Sequence, residues 1–289
     1  MSAASISPVL VVGATGTQGS AVIRALQALP NPPKIRALSR NPDSASSEKL
    51  KDQGVEVVKG SLTDSASIKA ALAGAGSAFL MTTLAGKKEP TEDAQGKAFV
   101  EAAKASSLSF LVFSSVSDAT PTCGVPHFET KAKVEGAIKA SGIPHTIIAP
   151  VAFYDNLPKS SGFPTFAAMG LFDAGLRGKK LQMVAVDDIG MVAAQAFSNP
   201  SAYAGRHIKL AGDDLSMEEV RQAYQRVENK SVWKAWMPGF VINLLPYDFK
   251  QMMLMFRNKG YSADVQGLRK EYPGLRTFEQ WLREGRKAQ

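Results

Sequence analysis

Pro8-Val9-Leu10-Val11-Val12-Gly13-Ala14-Thr15-Gly16-Thr17-Gln18-Gly19-Ser20-Ala21-Val22 is the stretch that decides the fold. Four apolar, mostly β-branched residues suit a strand covered on both faces, and glycines 13, 16 and 19 open a helix that runs on through Ile23-Arg24-Ala25-Leu26. Gly13 supplies a tight turn, Gly16 lets the backbone approach a pyrophosphate, and Gly19 lets the helix lie close to the strand. The free N–H groups of the first helical turn would face the phosphates, so Gly13, Thr15, Gly16, Thr17, Gln18 and Gly19 form the candidate phosphate-binding set. The spacing is G-x-x-G-x-x-G and not the standard G-x-G-x-x-G, so the weight rests on context. A strand precedes, a helix follows, and a second strand comes about twenty residues later. The competing reading is a glycine turn without a ligand.

Working outward, Asn31-Pro32-Pro33 breaks the helical pattern and residues 34–40 read as the second strand. An NAD site usually places Asp or Glu at its end to bond the ribose 2′-hydroxyl; Ser39 and Arg40 stand here instead, and a guanidinium suits a 2′-phosphate. NADP(H) is therefore the expected cofactor, with a solvated strand-end charge as the alternative role of Arg40. Helices at 44–51, 64–72 and about 91–105 then alternate with strands at 54–60, 77–83 and 110–115. The pace indicates an α/β fold of Rossmann type, a doubly wound parallel sheet covered on both faces. Its cleft belongs at the carboxyl ends of the strands, where Gly60-Ser61, Thr82-Thr83 and Ser114-Ser115 fall.

Residues 116–125 read as a loop, and a helix over 127–138 puts His127 and Lys131 on one face. With Ser115 they form the candidate catalytic set. After a sixth strand at 144–150 the alternation fails. Residues 151–178, including Phe153-Tyr154-Asp155-Asn156-Leu157, read as irregular structure lining a pocket. A helix at 187–197 and a strand at 206–211 suit a return to the main sheet, and Ser216-Met217-Glu218-Glu219 is a capping box. The Met-, Phe- and Trp-rich remainder predicts a smaller, mainly helical substrate or lid domain, its methionines serving as core or as an adaptable wall. The expected division is residues 1–150 with 184–211 for the NADP-binding domain, and 151–183 with 212–289 for the smaller one.

The 289 residues, 45% hydrophobic and 21% charged, are ordinary for a globular chain. The net charge of +8 is spread along the sequence, which suits a solvated basic surface facing an anionic cofactor better than a nucleic-acid footprint. No stretch approaches the roughly 18 apolar residues of a membrane span, and the first residues lack the features of a signal peptide. A cytoplasmic protein, with the nucleus as an alternative and no membrane partner, is expected. Cys123 is the single cysteine, and histidines 127, 145 and 207 show no metal-ligand spacing.

Gly13-Ala14-Thr15-Gly16-Thr17-Gln18-Gly19, Ser39-Arg40-Asn41-Pro42, the helix with His127-Phe128, Lys131 and Val134-Glu135, Phe153-Tyr154-Asp155-Asn156-Leu157, and Gly274-Leu275-Arg276-Thr277-Phe278-Glu279-Gln280-Trp281-Leu282 together resemble the NmrA-like family. This is an atypical branch of the short-chain dehydrogenase/reductase superfamily, and the resemblance covers nearly the whole chain. It implies NADP(H) binding with Arg40 on the 2′-phosphate, Lys131 at the nicotinamide ribose and the turn of Phe153, Tyr154 and Asn156 beside the nicotinamide. Relatives divide between quinone or dye reductases and NADPH/NADP sensors that regulate transcription-linked partners. Two departures stand out. The superfamily's Tyr-x-x-x-Lys is here His127-x-x-x-Lys131, as other members of the branch also lack the tyrosine, and the second basic residue expected after Arg40 is Ser44. His127 is then either a substitute proton donor or a helix-capping residue. Two functions follow: an NADPH-dependent reductase of a small apolar, conjugated or aromatic molecule, or a redox sensor acting through a protein partner or homodimer.

Overall fold

Successive side chains of a strand point to opposite faces, so Leu10 and Val12 leave one side of β1 (Val9–Val12) and Val9 and Val11 the other. All four are buried, which requires a layer of helices on each face. The protein, seen here as a computed structural model describing residues 6–83 and 89–287, meets that requirement with regular β/α alternation. The order is β1, α1 (Thr17–Gln27), β2 (Ile35–Ser39), α2 (Ala45–Asp52), β3 (Glu56–Lys59), α3 (Ser65–Leu72), β4 (Ser77–Met81), α4 (Glu92–Lys104), β5 (Phe110–Ser114), α5 (Pro126–Ala140) and β6 (His145–Pro150). The sheet order is β3-β2-β1-β4-β5-β6-β9, where β9 is His207–Leu210, and every pairing from β3 to β6 is parallel. Strand order reverses between β1 and β4, the switch point at which α/β sheets open a ligand crevice.

One side of the sheet packs Leu10, Val12, Leu38, Leu80, Leu111 and Phe113 against Ile68 and Leu72 of α3, Phe99 and Val100 of α4, and Val134 and Ile138 of α5. On the other, Phe110 meets Phe197 of α7 (Val186–Ser198) edge to face at 6.0 Å. Polar side chains fix where helices start. Asp64 accepts from the Ala66 amide at the start of α3, and Ser44 from the Ser47 amide at the start of α2. Strand β4 ends at Met81, two residues short of the sequence expectation, which leaves Thr82 and Thr83 off the ladder.

The chain divides into two compact units. The first comprises the chain up to Pro121, His127–Ala149 and Ile189–Ile208; the second comprises Thr122–Pro126, Pro150–Asp188 and the chain from Lys209. In the second, a short sheet of order β10-β8-β7 joins Ala152–Phe153 (β7), Leu181–Val184 (β8) and Asp213–Leu215 (β10). The 3₁₀ turn Tyr154–Asn156 follows β7, and helix α6 (Phe163–Leu176) follows that turn. Thus residues 151–178 are largely regular, not irregular as their composition suggests. Helix α6 is apolar almost all round, so no amphipathic period marks it, and the features that do are Pro164 in its first turn and the left-handed Arg177 after its end. The capping box is present at the start of α9 (Met217–Glu228), after the short α8 (Pro200–Tyr203). Beyond it come the 3₁₀ turn Gly239–Leu244 and helices α10 (Tyr247–Asn258), α11 (Val265–Glu271) and α12 (Phe278–Lys287). An aromatic cluster of Tyr154, Tyr224, Phe278 and Trp281 forms much of this unit's core. Among the described residues no helix is long and apolar enough to cross a membrane.

Candidate functional site

The site begins with an interlock between two glycines. Gly13 leaves β1 at φ +71, and a Cβ there would stand 2.6 Å from Sδ of Met81. A Cβ on Gly19, in the first turn of α1, would stand 2.2 Å from the Gly13 carbonyl oxygen. The glycine spacing therefore follows from strand and helix crossing in contact. Between them Gly16 occupies the helix N-cap with no side-chain cap and no acidic residue in the first turn. The first-turn N–H groups and the positive helix end are thus left for an anionic group.

This turn is one wall of a cleft of about 210 Å³ at the carboxyl ends of β1 to β4. Gly13, Thr15 and Gly16 face Ser39 and Arg40 at the end of β2, Gly60, Ser61, Leu62 and Thr63 beyond β3, Met81 and Thr83 from the end of β4 onward, and Glu89 and Gln95. Arg40 is the one cation among the described lining residues and Glu89 the one carboxylate. Ser39 is already occupied, its hydroxyl 2.9 Å from that of Ser47 and accepting from the Asn41 amide at 3.2 Å. Ser44, where a second basic residue is expected, caps α2 and donates to the Asn41 carbonyl at 2.9 Å. Its position is structural. A glycine cradle that a Cβ would fill, an uncapped helix start and a guanidinium at the β2 end fit a dinucleotide phosphorylated at the 2′ position.

The candidate catalytic residues belong to two networks. Lys131 Nζ lies 2.8 Å from Glu92 Oε1 and 3.4 Å from Thr82 Oγ1, while Thr82 and Thr130 donate to the same carboxylate at 2.8 and 2.7 Å. Glu92 is only 4% exposed; burial pushes its carboxyl up, but Lys131 and the two hydroxyls outweigh that and hold it below the ordinary value. Ser115 donates to Glu135 Oε1 at 2.6 Å, and Glu135 also meets His207 Nε2 at 3.1 Å and Lys139 Nζ at 3.1 Å. Here too burial pushes the carboxyl up and the partners, His207 first, bring it below the ordinary value. Gln18 accepts from Ser114 at 2.6 Å, which ties the first turn of α1 to the end of β5. His127 sits in the first turn of α5, its ring edge-on to Phe128 at 4.7 Å and its carbonyl accepting from the Thr130 hydroxyl at 2.9 Å.

Thus Gly13, Thr15, Gly16, Arg40, Ser61 and Thr83 share one cleft, whereas Thr82, Ser115 and Lys131 are engaged with buried carboxylates. Phe153, Tyr154 and Asn156 belong to the second unit. Tyr154 is a core residue there, its ring 5.2 Å from Phe278 and its phenol pushed up by burial, so it stays protonated. Phe153 and Asn156 pack beside Phe172 and Met183 around a gap too small to admit a water molecule. Sequence reasoning passed over Glu92, which reads as an ordinary acid opening a helix, and Glu135, whose signal is its place one turn beyond Lys131.

The profile of the NmrA-like family matches residues 6–282. The chain belongs to the NmrA-like family. This NmrA-like chain is 29% identical over 280 residues to the NmrA-like family domain-containing oxidoreductase FrzB of a Cladobotryum species, covering 86% of this chain and 82% of that one. It is 31% identical over 224 residues to the NAD(P)H azoreductase of Xenophilus azovorans, covering 78% and 75% respectively. Among solved structures, the NADPH-dependent quinone oxidoreductase QOR2 of Escherichia coli, complexed with NADPH, superposes with a TM-score of 0.74 at 21% identity, over 95% of this chain and 98% of that one.

Proposed function

We propose that this NmrA-like chain binds NADP(H) in the cleft beyond β1 to β4 and reduces a small, apolar, conjugated acceptor of quinone or enone type. The observation that carries the reading is the uncapped, glycine-lined start of α1 sharing one cleft with Arg40. The 31% identical azoreductase, an NAD(P)H enzyme by its name, supports it. In this reading the turn of Gly13, Thr15, Gly16, Thr17 and Gly19 holds the pyrophosphate through backbone N–H groups, and Arg40 pairs with the 2′-phosphate. Ser61 and Thr83 line the flanks, Gln18 is steadied by Ser114, and Lys131, aligned by Glu92 and Thr82, reaches toward the nicotinamide ribose. The bound nicotinamide supplies a hydride. The chain's own contribution is to orient that ring and exclude water. His127 is the residue placed to give a proton, and a quinone that takes its proton from solvent needs none. Fluorescence titration with NADPH and NADH, followed by single-turnover oxidation of NADPH across a quinone and enone panel, tests this. Tighter NADPH binding and acceleration over free NADPH are expected; no affinity for either cofactor removes the reading, and affinity without acceleration removes the enzyme.

One observation favours a second reading. The superfamily's tyrosine is absent, and Ser115 and Lys131 are both held by buried carboxylates, as suits a chain that binds its cofactor without turning it over. A redox sensor acting on a protein partner or as a homodimer would show NADPH-dependent protease sensitivity or oligomer size with no turnover. Identical digestion with and without NADPH counts against it.

A further inference from the structure

Burial of large apolar side chains is the rule in this chain, and its exceptions gather in one place. Among the described residues, Phe163, Trp233, Trp236, Phe240, Leu244 and Tyr247 are each 64–85% exposed. They lie on α6 and on the segments that pack against it in the second unit, a layer of elements built around that helix. Ala235, between the two tryptophans, donates its amide to Phe166 of α6 at 3.2 Å, and Ile242 of the 3₁₀ turn and Met253 of α10 both close on Gly175 of α6. Together they expose on the order of 800 Å² of apolar side chain on neighbouring segments, a concentration uncommon on an ordinary monomer.

The same layer is basic. Residues 163–180 and 230–259 carry eight lysines and arginines against two carboxylates, Asp173 and Asp248. Adding Glu219 and Glu228, which pair with Lys180 and Lys230, and Asp214 and Glu218, which stand near Lys180 and Lys234, still leaves an excess of two positive charges. Cations are interleaved with the aromatics: Lys234, paired with Asp173 at 2.8 Å, stands between Trp233 and Trp236, and the Arg177 guanidinium lies within 3.7 Å of where a Cβ on Gly239 would be, beside Phe240.

We infer that this layer docks on an anionic lipid bilayer surface, with Trp, Phe and Leu side chains entering the headgroup region and the cations meeting acidic headgroups. Charge complementarity selects the occupant. A second copy would bring two basic layers face to face. Six of the eight cations are lysines, which protein interfaces disfavour and acidic lipid surfaces attract. Leu244, aliphatic and exposed, has no role in stacking nucleic-acid bases. The absence of a membrane span, from which no membrane partner is expected, does not bear on a face that lies on the bilayer.

The test is flotation of the full chain with vesicles of phosphatidylcholine alone and of equal parts phosphatidylcholine and phosphatidylserine, read together with tryptophan emission. The expected result is binding to the phosphatidylserine vesicles only, weakened by salt, with a blue shift, since Trp233 and Trp236 are exposed and Trp281 is buried. The double variant Trp236→Ser/Phe240→Ser should lose roughly tenfold or more in vesicle affinity while keeping its melting temperature and NADPH affinity. Lys250→Glu should weaken binding in low salt and matter less in high salt. The inference is overturned by absence of flotation with phosphatidylserine, or by a double variant that binds as well as the parent. It is equally overturned if the layer instead retains a single-stranded oligonucleotide, or forms a concentration-dependent dimer that the double variant abolishes, with no vesicle binding.

Discussion

Single side chains decide which cofactor and which pH this fold accepts. Arg40 is the one described cation lining the cleft, with no second base to share the 2′-phosphate because Ser44 is a helix cap. Arg40→Ala should therefore weaken NADPH binding by roughly tenfold to a hundredfold, the worth of one charged hydrogen-bonding group, and leave NADH binding unchanged in parallel titrations. Glu92 governs the neighbouring network. Its carboxyl is held below the ordinary value of 4.5, so the stability it contributes is present above that value and is lost as pH falls through its lower folded-state value. Glu135 is shifted in the same direction and adds to the loss. Glu92→Gln strands the Lys131 ammonium and should cost about 1–3 kcal/mol at neutral pH. Melting curves between about pH 6 and pH 3 should show the gap between parent and variant closing as Glu92 in the parent takes up its proton. The partners of neither carboxylate are legible in the sequence, although Glu135 is marked by its place one turn beyond Lys131. A glutamate opening a helix or lying midway along one looks solvated until the fold brings Thr82 or Ser115 to it from a distant strand, whereas Arg40 is legible because its role depends only on its distance from the glycine turn.

At the scale of elements, the strand-to-helix turn and α5 respond oppositely to the same substitution. A methyl at Gly19 would enter the Gly13 carbonyl, which is backbone and cannot swing away, so Gly19→Ala should destabilise by about 1–3 kcal/mol or more and abolish cofactor binding. Gly136, inside α5, has nothing within 4 Å of a built Cβ, and Gly136→Ala should stabilise by about 0.5–1 kcal/mol. Denaturant titration of the two variants reads both signs. The βα alternation was legible throughout the first unit because its strands are short apolar runs, its helices have one polar face, and a cap such as Asp64 marks a helix start. Helix α6 was not legible, because a segment such as Phe163–Leu176 with apolar residues on every side carries no period to read. Strands β7, β8 and β10 were missed for another reason: they are two to four residues long and exist only through each other.

Across the whole molecule, the boundary between the two units passes through a loop at Pro121 and through regular elements at its other crossings. It passes between Asp188 and Ile189 inside α7 and between Ile208 and Lys209 inside β9, and β6 ends on Pro150, the first residue of its segment in the second unit. A helix or strand cannot melt at one end and hold firmly at the other without losing hydrogen bonds, so the chain should unfold as one cooperative body. The tryptophans make this testable: Trp233, Trp236 and Trp281 all lie in the second unit, while every described residue lining the cleft beyond β1 to β4 lies in the first. NADPH at about a hundred times its dissociation constant stabilises the state that binds it by about 2.7 kcal/mol. For a chain of this size that corresponds to a rise of roughly 4–5 °C in melting temperature. Far-ultraviolet dichroism and tryptophan emission should both record that rise, at the same midpoint. If the dichroism midpoint moves and the tryptophan midpoint stays, the units unfold separately, and stabilisation gained at the glycine turn does not extend to the aromatic and basic layer that the second unit carries.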